Sequence, residues 1–253
     1  MFEAVSAWHA VAIFAVGIAA GTINTVVGSG TLITFPTLLA FGYAPLVANV
    51  SNNIGLVPGT ISGAWGYRRL LAGQRARLMP LALASTAGGI VGAVLLLSLP
   101  PNAFKAIVPF FIGLALVLIV TQRWINRLIG DRRRGDGEGA GPAAIAGVFG
   151  SGIYGGYFGA AQGIMLLAIL GLTVDDELQR LNAAKVVLAG TVNLVAGVIF
   201  IFAAHVDWAV AGLIAAGSVL GGVLGSRFGQ KLPPVALRAI IVIVGVVAIV
   251  RLV

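Results

Sequence analysis

The chain has no cysteine in 253 residues and only two histidines, His9 and His205. Disulfides and thiolate metal sites are excluded, and neither histidine has a partner at ligand spacing. Charge is scarce as well: 9% of residues are Asp, Glu, Lys or Arg, where a soluble domain carries about 25% to cover its surface. Acids are the rarer sign. Glu3, Asp131, Asp136, Glu138, Asp175, Asp176, Glu177 and Asp207 are the only carboxylates, and all fall in tails or predicted loops. A carboxylate proton relay inside an apolar run is therefore not expected. No Gly-x-Ser-x-Gly elbow, no phosphate loop with its lysine and no Cys/His cluster appears, so the sequence calls for no cofactor, no metal and no catalytic residue.

What is present is apolar. Hydrophobic residues make up 59% of the chain and glycine contributes 36 positions; the mean hydropathy is +1.04. Glycine at that level weakens soluble helices, but it lets membrane helices approach closely. The composition predicts an all-α integral membrane protein, with the lipid bilayer as its surroundings. The net charge of +8 does not indicate nucleic acid as a partner, because the basic residues sit in short clusters between apolar runs, as cytoplasmic loops do. No Lys or Arg precedes the first apolar stretch, so Met1 to Gly21 reads as mature structure and not as a signal peptide.

Apolar stretches near the roughly 20 residues that cross a bilayer fall at about 46–66, 78–98, 103–122, 178–203, 208–226 and 235–252. Two longer regions, 9–41 and 142–171, are interrupted, the first at Gly28-Ser29-Gly30 and the second around Gly159 to Gly163. A polar, Gly-rich stretch, 123–141, contains Arg132-Arg133-Arg134 and reads as a cytoplasmic linker. It separates a first transmembrane repeat, 1–122, from a second, 142–253.

The two halves look like copies. A shift of 133 positions lays Ser85-x-x-Gly88-Gly89-x-x-Gly92 on Ser218-x-x-Gly221-Gly222-x-x-Gly225, Leu99-Pro100-Pro101 on Leu232-Pro233-Pro234, and Asn49 on Asn182. Upstream, a shift of 129 pairs Gly30 with Gly159 and Gly42 with Gly171.

Charge then distinguishes two topologies. If every region crosses, the copies run parallel, and Lys105, Arg180, Lys185, Arg227, Lys231 and Arg238 lie outside. If 9–41 and 142–171 are re-entrant, each copy crosses three times and the copies are inverted. Only Lys105 and Arg251 of the 16 basic residues then lie outside. The positive-inside rule favours inversion. The expected fold is thus two inverted repeats, each a broken re-entrant helical hairpin plus three transmembrane helices.

Inverted repeats with interrupted helices are the pattern of secondary transporters, whose sites lie where the breaks meet. Lipid cannot satisfy the backbone groups that a break frees. A helix starting after a break points N–H groups and the positive end of its dipole at the gap, which favours an anion. Ser29, Gly30 and Thr31 lie at the first break and Gln162 at the second. Asn49 and Asn52 open the crossing after the first hairpin; Asn182 and Lys185 hold the corresponding places after the second. The i, i+3 spacing puts each pair on one helix face. Lys185 is the one cation expected within the membrane or at its edge, where an anionic ligand is its natural partner. Two plainer readings stay open: Asn and Gln also serve as interhelical hydrogen-bond glue, and Lys185 has the option of snorkelling to the cytoplasmic interface.

At these residues the sequence resembles the sulfite exporter TauE/SafE family of membrane permeases. Gly17-x-x-x-Gly21, Gly28-Ser29-Gly30, Pro36, Leu38-Leu39, Gly42-x-x-Pro45 and Ala48-Asn49 carry the likeness in the first half. Tyr154 to Gly159, Gly163-Ile164-Met165 and Asn182-Ala183-Ala184-Lys185 carry it in the second. Thr31 stands where a glycine often follows, and Ala160 and Ala161 replace glycines. The resemblance implies a multi-pass protein of the bacterial cytoplasmic (inner) membrane that transports, commonly outward, sulfite or another small sulfur-containing anion. An anion channel and a non-transporting membrane scaffold are the alternatives, and a homodimer is compatible with the sequence.

Overall fold

The computed structural model describes residues 7–130, 140–228 and 243. All regular structure among them is helical: α1 (Ala7–Val26), α2 (Thr31–Ala40), α3 (Pro45–Gly66), α4 (Arg68–Leu71), α5 (Arg75–Ser98), α6 (Pro101–Gly130), α7 (Pro142–Tyr157), α8 (Gln162–Thr173), α9 (Leu178–Ala203) and α10 (Trp208–Phe228). Proline opens α3 and α7 in the first turn, where its missing N–H costs no helical bond.

Four of the described helices, α1, α5, α9 and α10, are long and apolar enough to cross a membrane. With α3 they make a multi-pass membrane protein whose polarity is turned inside out. Trp8, Trp65, Phe110 and Phe202 are exposed, while Asn49, Ser51, Asn52, Asn53 and Lys185 are buried. Those asparagines lower the hydropathy of α3, which at 22 residues has the length to cross. By contrast α2 and α8, with 10 and 12 residues, reach roughly half of the ~30 Å hydrocarbon core.

Helix directions follow from the contacts. The His9 ring stacks on Phe41 with centroids 4.3 Å apart, so α2 returns to the end where α1 begins. In the second hairpin Gly155 lies against Gln162 and Gly147 against Ile169, so α8 returns along α7. Helices α1 and α10 run parallel: Gly17 meets Ile214, Gly21 meets Ser218, and Thr22 meets Gly225. Helices α5 and α7 also run parallel, Gly88 against Gly152 and Gly92 against Ile153. Along α3, Gly55 meets Ala211 and Gly66 meets Ser226, so α3 shares the direction of α1 and α10. Helix α9 opposes it, with Gly190 at Thr60 and Gly197 at Asn53. The hairpin of each half therefore packs on a helix of the other half. The contacts are backbone to backbone: a Cβ on Gly21 would lie 2.4 Å from the Ser218 carbonyl oxygen, which only glycine permits.

One end of the bundle gathers Arg68, Arg69, Arg75, Arg77, Arg180 and Arg227. There Asp176, in the turn between α8 and α9, is gripped by Arg77 at 2.5 Å and by Arg180 at 2.9 Å. Gln74 donates to the Arg180 carbonyl at 3.3 Å. Burial alone would raise the Asp176 carboxyl, but hydrogen bonds from Arg77, the Glu177 N–H and Arg180 outweigh it and hold the group below the usual carboxylate range. Its stabilisation is therefore complete above the ordinary carboxylate pKa and is lost as pH falls through the lowered value. An Asp176→Asn variant should unfold about 1–3 kcal/mol more easily at pH 7. The gap from the parent should close as pH falls through the lowered pKa, as read by thermal unfolding in detergent across pH.

Several sequence expectations change. At the two breaks the glycines with positive φ are Gly28 (+88°) and Gly159 (+76°), whereas Gly30 has an α-helical φ of −57°. Gly28, not Gly30, is thus the structural counterpart of Gly159, and α8 starts at Gln162. Helix α6 runs to Gly130, into the stretch read as linker, because residues 123–130 hold no breaker before Gly130. The rest of the linker to 139, the last crossing at 235–252, and Leu232-Pro233-Pro234 lie outside the described residues, as do Lys231 and Arg238.

Candidate functional site

Two helix breaks touch. Residues 27–30 separate α1 from α2, and residues 158–161 separate α7 from α8. The Gly163 N–H donates to the Gly28 carbonyl at 3.0 Å. A Cβ on Gly28 would come 2.5 Å from the Gly163 Cα, and one on Gly163 would come 2.4 Å from the Gly28 Cα. Both contacts are with backbone, so neither position accepts a side chain without separating the hairpins. Gly28 also needs its left-handed φ, which costs an L-residue roughly 1–2 kcal/mol. Ala161 adopts such a φ, +61°, and the second break is closed further by the Tyr154 hydroxyl, which donates to the Ala160 carbonyl at 2.5 Å.

Around the first break the backbone is only partly satisfied. Leu32 and Ile33 donate to the Ser29 and Gly30 carbonyls at 3.1 and 3.0 Å. Among the described residues no backbone bond is made by the N–H groups of Ser29, Gly30 and Thr31, and no side chain caps α2. The Ser29 hydroxyl is buried without a partner. Buried donors of this kind favour an acceptor ligand. The start of α8 is more closed, since the N–H groups of Gln162, Gly163 and Ile164 already reach Gly159, Gly28 and Ala161.

The residues picked from sequence fall into separate groups. Thr31 and Asn52 are joined: Asn52 Nδ2 donates to Thr31 Oγ1 at 3.3 Å, and Asn52 Oδ1 accepts from Thr34 at 2.5 Å. Asn49 Nδ2 donates to the Tyr157 carbonyl at 3.1 Å, pinning α3 to the second break. Gln162 lies on Gly155 and donates to the Ser151 carbonyl at 3.2 Å, so it serves its own hairpin. Asn182 lies beside the Tyr67 hydroxyl, away from either break. Asn49 and Asn182, equivalent in sequence, thus do different work.

Lys185 is fully buried and does not snorkel. Its Nζ donates to the Thr25 carbonyl at 3.3 Å, in the last turn of α1. A cation there is favoured by the negative end of the helix dipole. Among the described residues the ion pairs are those of Asp176 with Arg77 and Arg180, so Lys185 faces no carboxylate. One carbonyl uses one of the three protons of an ammonium group.

Thr34 and Phe158 escaped the sequence reading. Thr34 was accessible through its i, i+3 relation to Thr31 on α2. Phe158 sits between Phe35 of α2, edge-on at 5.1 Å, and Phe111 of α6, stacked at 5.9 Å; only the tertiary structure brings those rings together. Asn53 Nδ2 adds a cross-link to Asn193 at 3.4 Å.

The family model described as sulfite exporter TauE/SafE matches residues 13–252, a span that takes in both breaks and every residue above. The chain belongs to that family. Its relatives within reach of sequence comparison are named for transport. A "Probable membrane transporter protein ORF9" of Sinorhizobium sp is 29% identical over 97% of this chain and 93% of its own length. "Probable membrane transporter protein YfcA" of Escherichia coli (strain K12) is 30% identical over 93% of this chain and 86% of its own length. A "Probable membrane transporter protein" of Haemophilus influenzae is 28% identical over 91% and 89%. No solved structure matches significantly. The TauE/SafE likeness quoted from the sequence at Gly28-Ser29-Gly30 and Gly163-Ile164-Met165 thus falls on segments that touch.

Proposed function

We propose that this TauE/SafE protein is a secondary transporter that exports a small sulfur-containing anion, sulfite or an organosulfonate, through a site between its two helix breaks. The observation that carries the reading is the junction of Gly28 with Gly163, near a fully buried lysine that meets no carboxylate among the described residues. In this reading the N–H groups of Ser29 to Thr31 and the Ser29 hydroxyl receive the oxyanion, and Lys185 supplies charge. Asn52 with Thr31, and Asn49 through Tyr157, fix α2 and the second break relative to α3. No bond of the substrate is made or broken.

An oxyanion entering this region replaces water hydrogen bonds with buried donors and a cation, while exposed apolar surface faces lipid. Alternating access would then come from movement of one half against the other, as inverted-repeat carriers move. Support for inversion comes from the opposed directions of α3 and α9, and from the return of α2 beside α1 and of α8 beside α7. Clustering of the described arginines at one end supports placing that end in the cytoplasm.

The direct test is uptake of labelled sulfite, sulfoacetate and taurine into proteoliposomes containing the purified protein. Saturable flux of one of them is expected; absence of flux for all three would overturn the reading. Topology is tested separately, because the chain has no cysteine of its own. A single His205→Cys should react with an impermeant thiol reagent added to intact cells, and a single Asp175→Cys should not. The opposite labelling pattern would refute inversion.

A further inference from the structure

Where α3 and α10 end together at the arginine-rich face, their last turns enclose a cavity of about 410 Å³ lined by Ser62, Trp65, Arg68, Arg69, Ser226 and Arg227. Gly66 lets the two helices converge there, since a Cβ on it would lie 2.1 Å from the Ser226 hydroxyl oxygen. Among the described residues no acidic side chain lines the cavity, and the acid that binds arginine among them, Asp176, is engaged elsewhere by Arg77 and Arg180. Three guanidinium groups around one cavity repel each other unless an anion joins them.

The arrangement is more than a solvated loop. Arg68 is held in place: its guanidinium lies 5.2 Å from the centre of the Trp65 ring, and Nη1 donates to the Trp65 carbonyl at 3.1 Å. A positioned, planar guanidinium suits a phosphate, which it can meet with two parallel hydrogen bonds. Arg227 stands in the last turn of α10, where the helix dipole favours a cation. The Ser62 hydroxyl lies 2.9 Å from the Gly59 carbonyl of its own helix and 3.0 Å from the Val219 carbonyl of α10, and the Ser226 hydroxyl donates to the Val223 carbonyl at 3.0 Å; a hydroxyl can rotate toward an incoming anion.

The position of the cavity distinguishes a lipid phosphate from a free one. Trp65, 70% exposed, stands at its rim as interfacial tryptophans do. One turn deeper, α3 exposes Ile61 and α10 exposes Leu220 and Leu224. These exposed apolar side chains put the cavity at the boundary between the arginine-rich end and the lipid-facing surface of the bundle, where a lipid headgroup sits. Basic recesses between helices on the cytoplasmic side hold anionic headgroups by the same physics.

We infer that this cavity binds the phosphate of an anionic phospholipid, with Arg68, Arg69 and Arg227 as its ligands. The site is distinct from the helix breaks and does not depend on what the protein transports. The test uses the full-length protein, delipidated in neutral detergent. Binding of phosphatidylglycerol, phosphatidylcholine and inorganic phosphate is measured by native mass spectrometry and thermal shift. Phosphatidylglycerol should bind at least about tenfold more tightly than phosphatidylcholine. Combined Arg68→Gln, Arg69→Gln and Arg227→Gln substitutions should remove that preference, Arg→Lys at the same three positions should retain part of it, and Arg75→Gln at the same face should leave it intact. Equal binding of both lipids, an unchanged glutamine variant, equal loss with Arg75→Gln, or binding of inorganic phosphate as tight as that of the lipid would each overturn the proposal. Should the glutamine variant fail to elute as a folded protein, the lysine variant and Arg75→Gln still decide between this cavity and diffuse surface charge.

Discussion

A Lys185→Gln variant should lose nearly all anion flux while its thermal stability stays level or rises. The two halves of that result come from different physics. Removing one partner of a desolvated charge interaction costs a ligand about 2–5 kcal/mol, which is roughly 30-fold or more in binding. Flux at substrate concentrations below saturation should fall by at least that factor. For the fold, the change removes one charged hydrogen bond, from Nζ to the Thr25 carbonyl, worth about 1.5–3 kcal/mol. It also removes the desolvation penalty of a buried ammonium, several kcal/mol, so the balance is near zero or favourable. A lysine that only tied α9 to α1 would give the reverse pattern, with stability reduced and flux per folded molecule kept. Measuring sulfite flux in proteoliposomes alongside the unfolding temperature separates the two cases. Lys185→Arg, which keeps the charge on a larger group, should retain measurable flux.

The second large effect is steric. Gly163→Ala places a methyl group 2.4 Å from the Gly28 Cα, and no flexible side chain is there to move aside. Over-packing costs about 1–3 kcal/mol, and the hydrogen bond from the Gly163 N–H to Gly28 adds about 0.5–1.5 kcal/mol when the breaks separate. The unfolding temperature should drop by roughly 5–15 °C, and flux should disappear even in the folded fraction, because the hairpin tips no longer meet. Gly28→Ala should be worse, since it adds the strain of a positive φ to the same clash. Gly150→Ala on α7 is the control: nothing lies within 4 Å of its Cβ position, and alanine should stabilise that helix by up to about 1 kcal/mol. If Gly163→Ala behaved like Gly150→Ala, the contact between the breaks would have no part in transport.

Much of the architecture was readable in the chain because it follows from one-dimensional quantities. Scarcity of charge pointed to the membrane, and the apolar runs at 78–98, 178–203 and 208–226 fall on α5, α9 and α10, which are long and apolar enough to cross; α1, read as one arm of a re-entrant hairpin, is long enough as well. The 133-residue spacing recurs in the structure, where α3 and α9 begin at 45 and 178 and α5 and α10 at 75 and 208. At the breaks that logic failed by two residues, because glycine identity does not disclose which glycine takes the positive φ. Gly30 is helical, and it is glycine because a Cβ there would lie 2.4 Å from the Ala20 carbonyl oxygen. Ala161, meanwhile, takes a left-handed φ without being glycine at all. The contact of Gly28 with Gly163 joins residues far apart in sequence, and nothing local announces it. Asn182 shows the limit of arguing from internal symmetry: its counterpart Asn49 reaches a break, whereas Asn182 faces Tyr67. Lys185 was picked for being a cation in an apolar helix; its direction, toward the end of α1, needed the fold.

The exchange of packing partners between the halves has a consequence for biosynthesis. Helix α1 leaves the ribosome some two hundred residues before α10, yet the surface that fits Gly17 and Gly21 belongs to α10. At about 5–20 residues per second, the small-residue face of α1 waits at least ten seconds or so in the bilayer before its partner arrives. Helix α5 waits more briefly for α7. The first repeat thus enters the membrane as an unfinished interface, exposed to any other helix with a glycine stripe, and becomes a closed bundle only once α10 has been made. A chain truncated after the linker should accordingly be cleared by membrane proteases and not accumulate as a stable half.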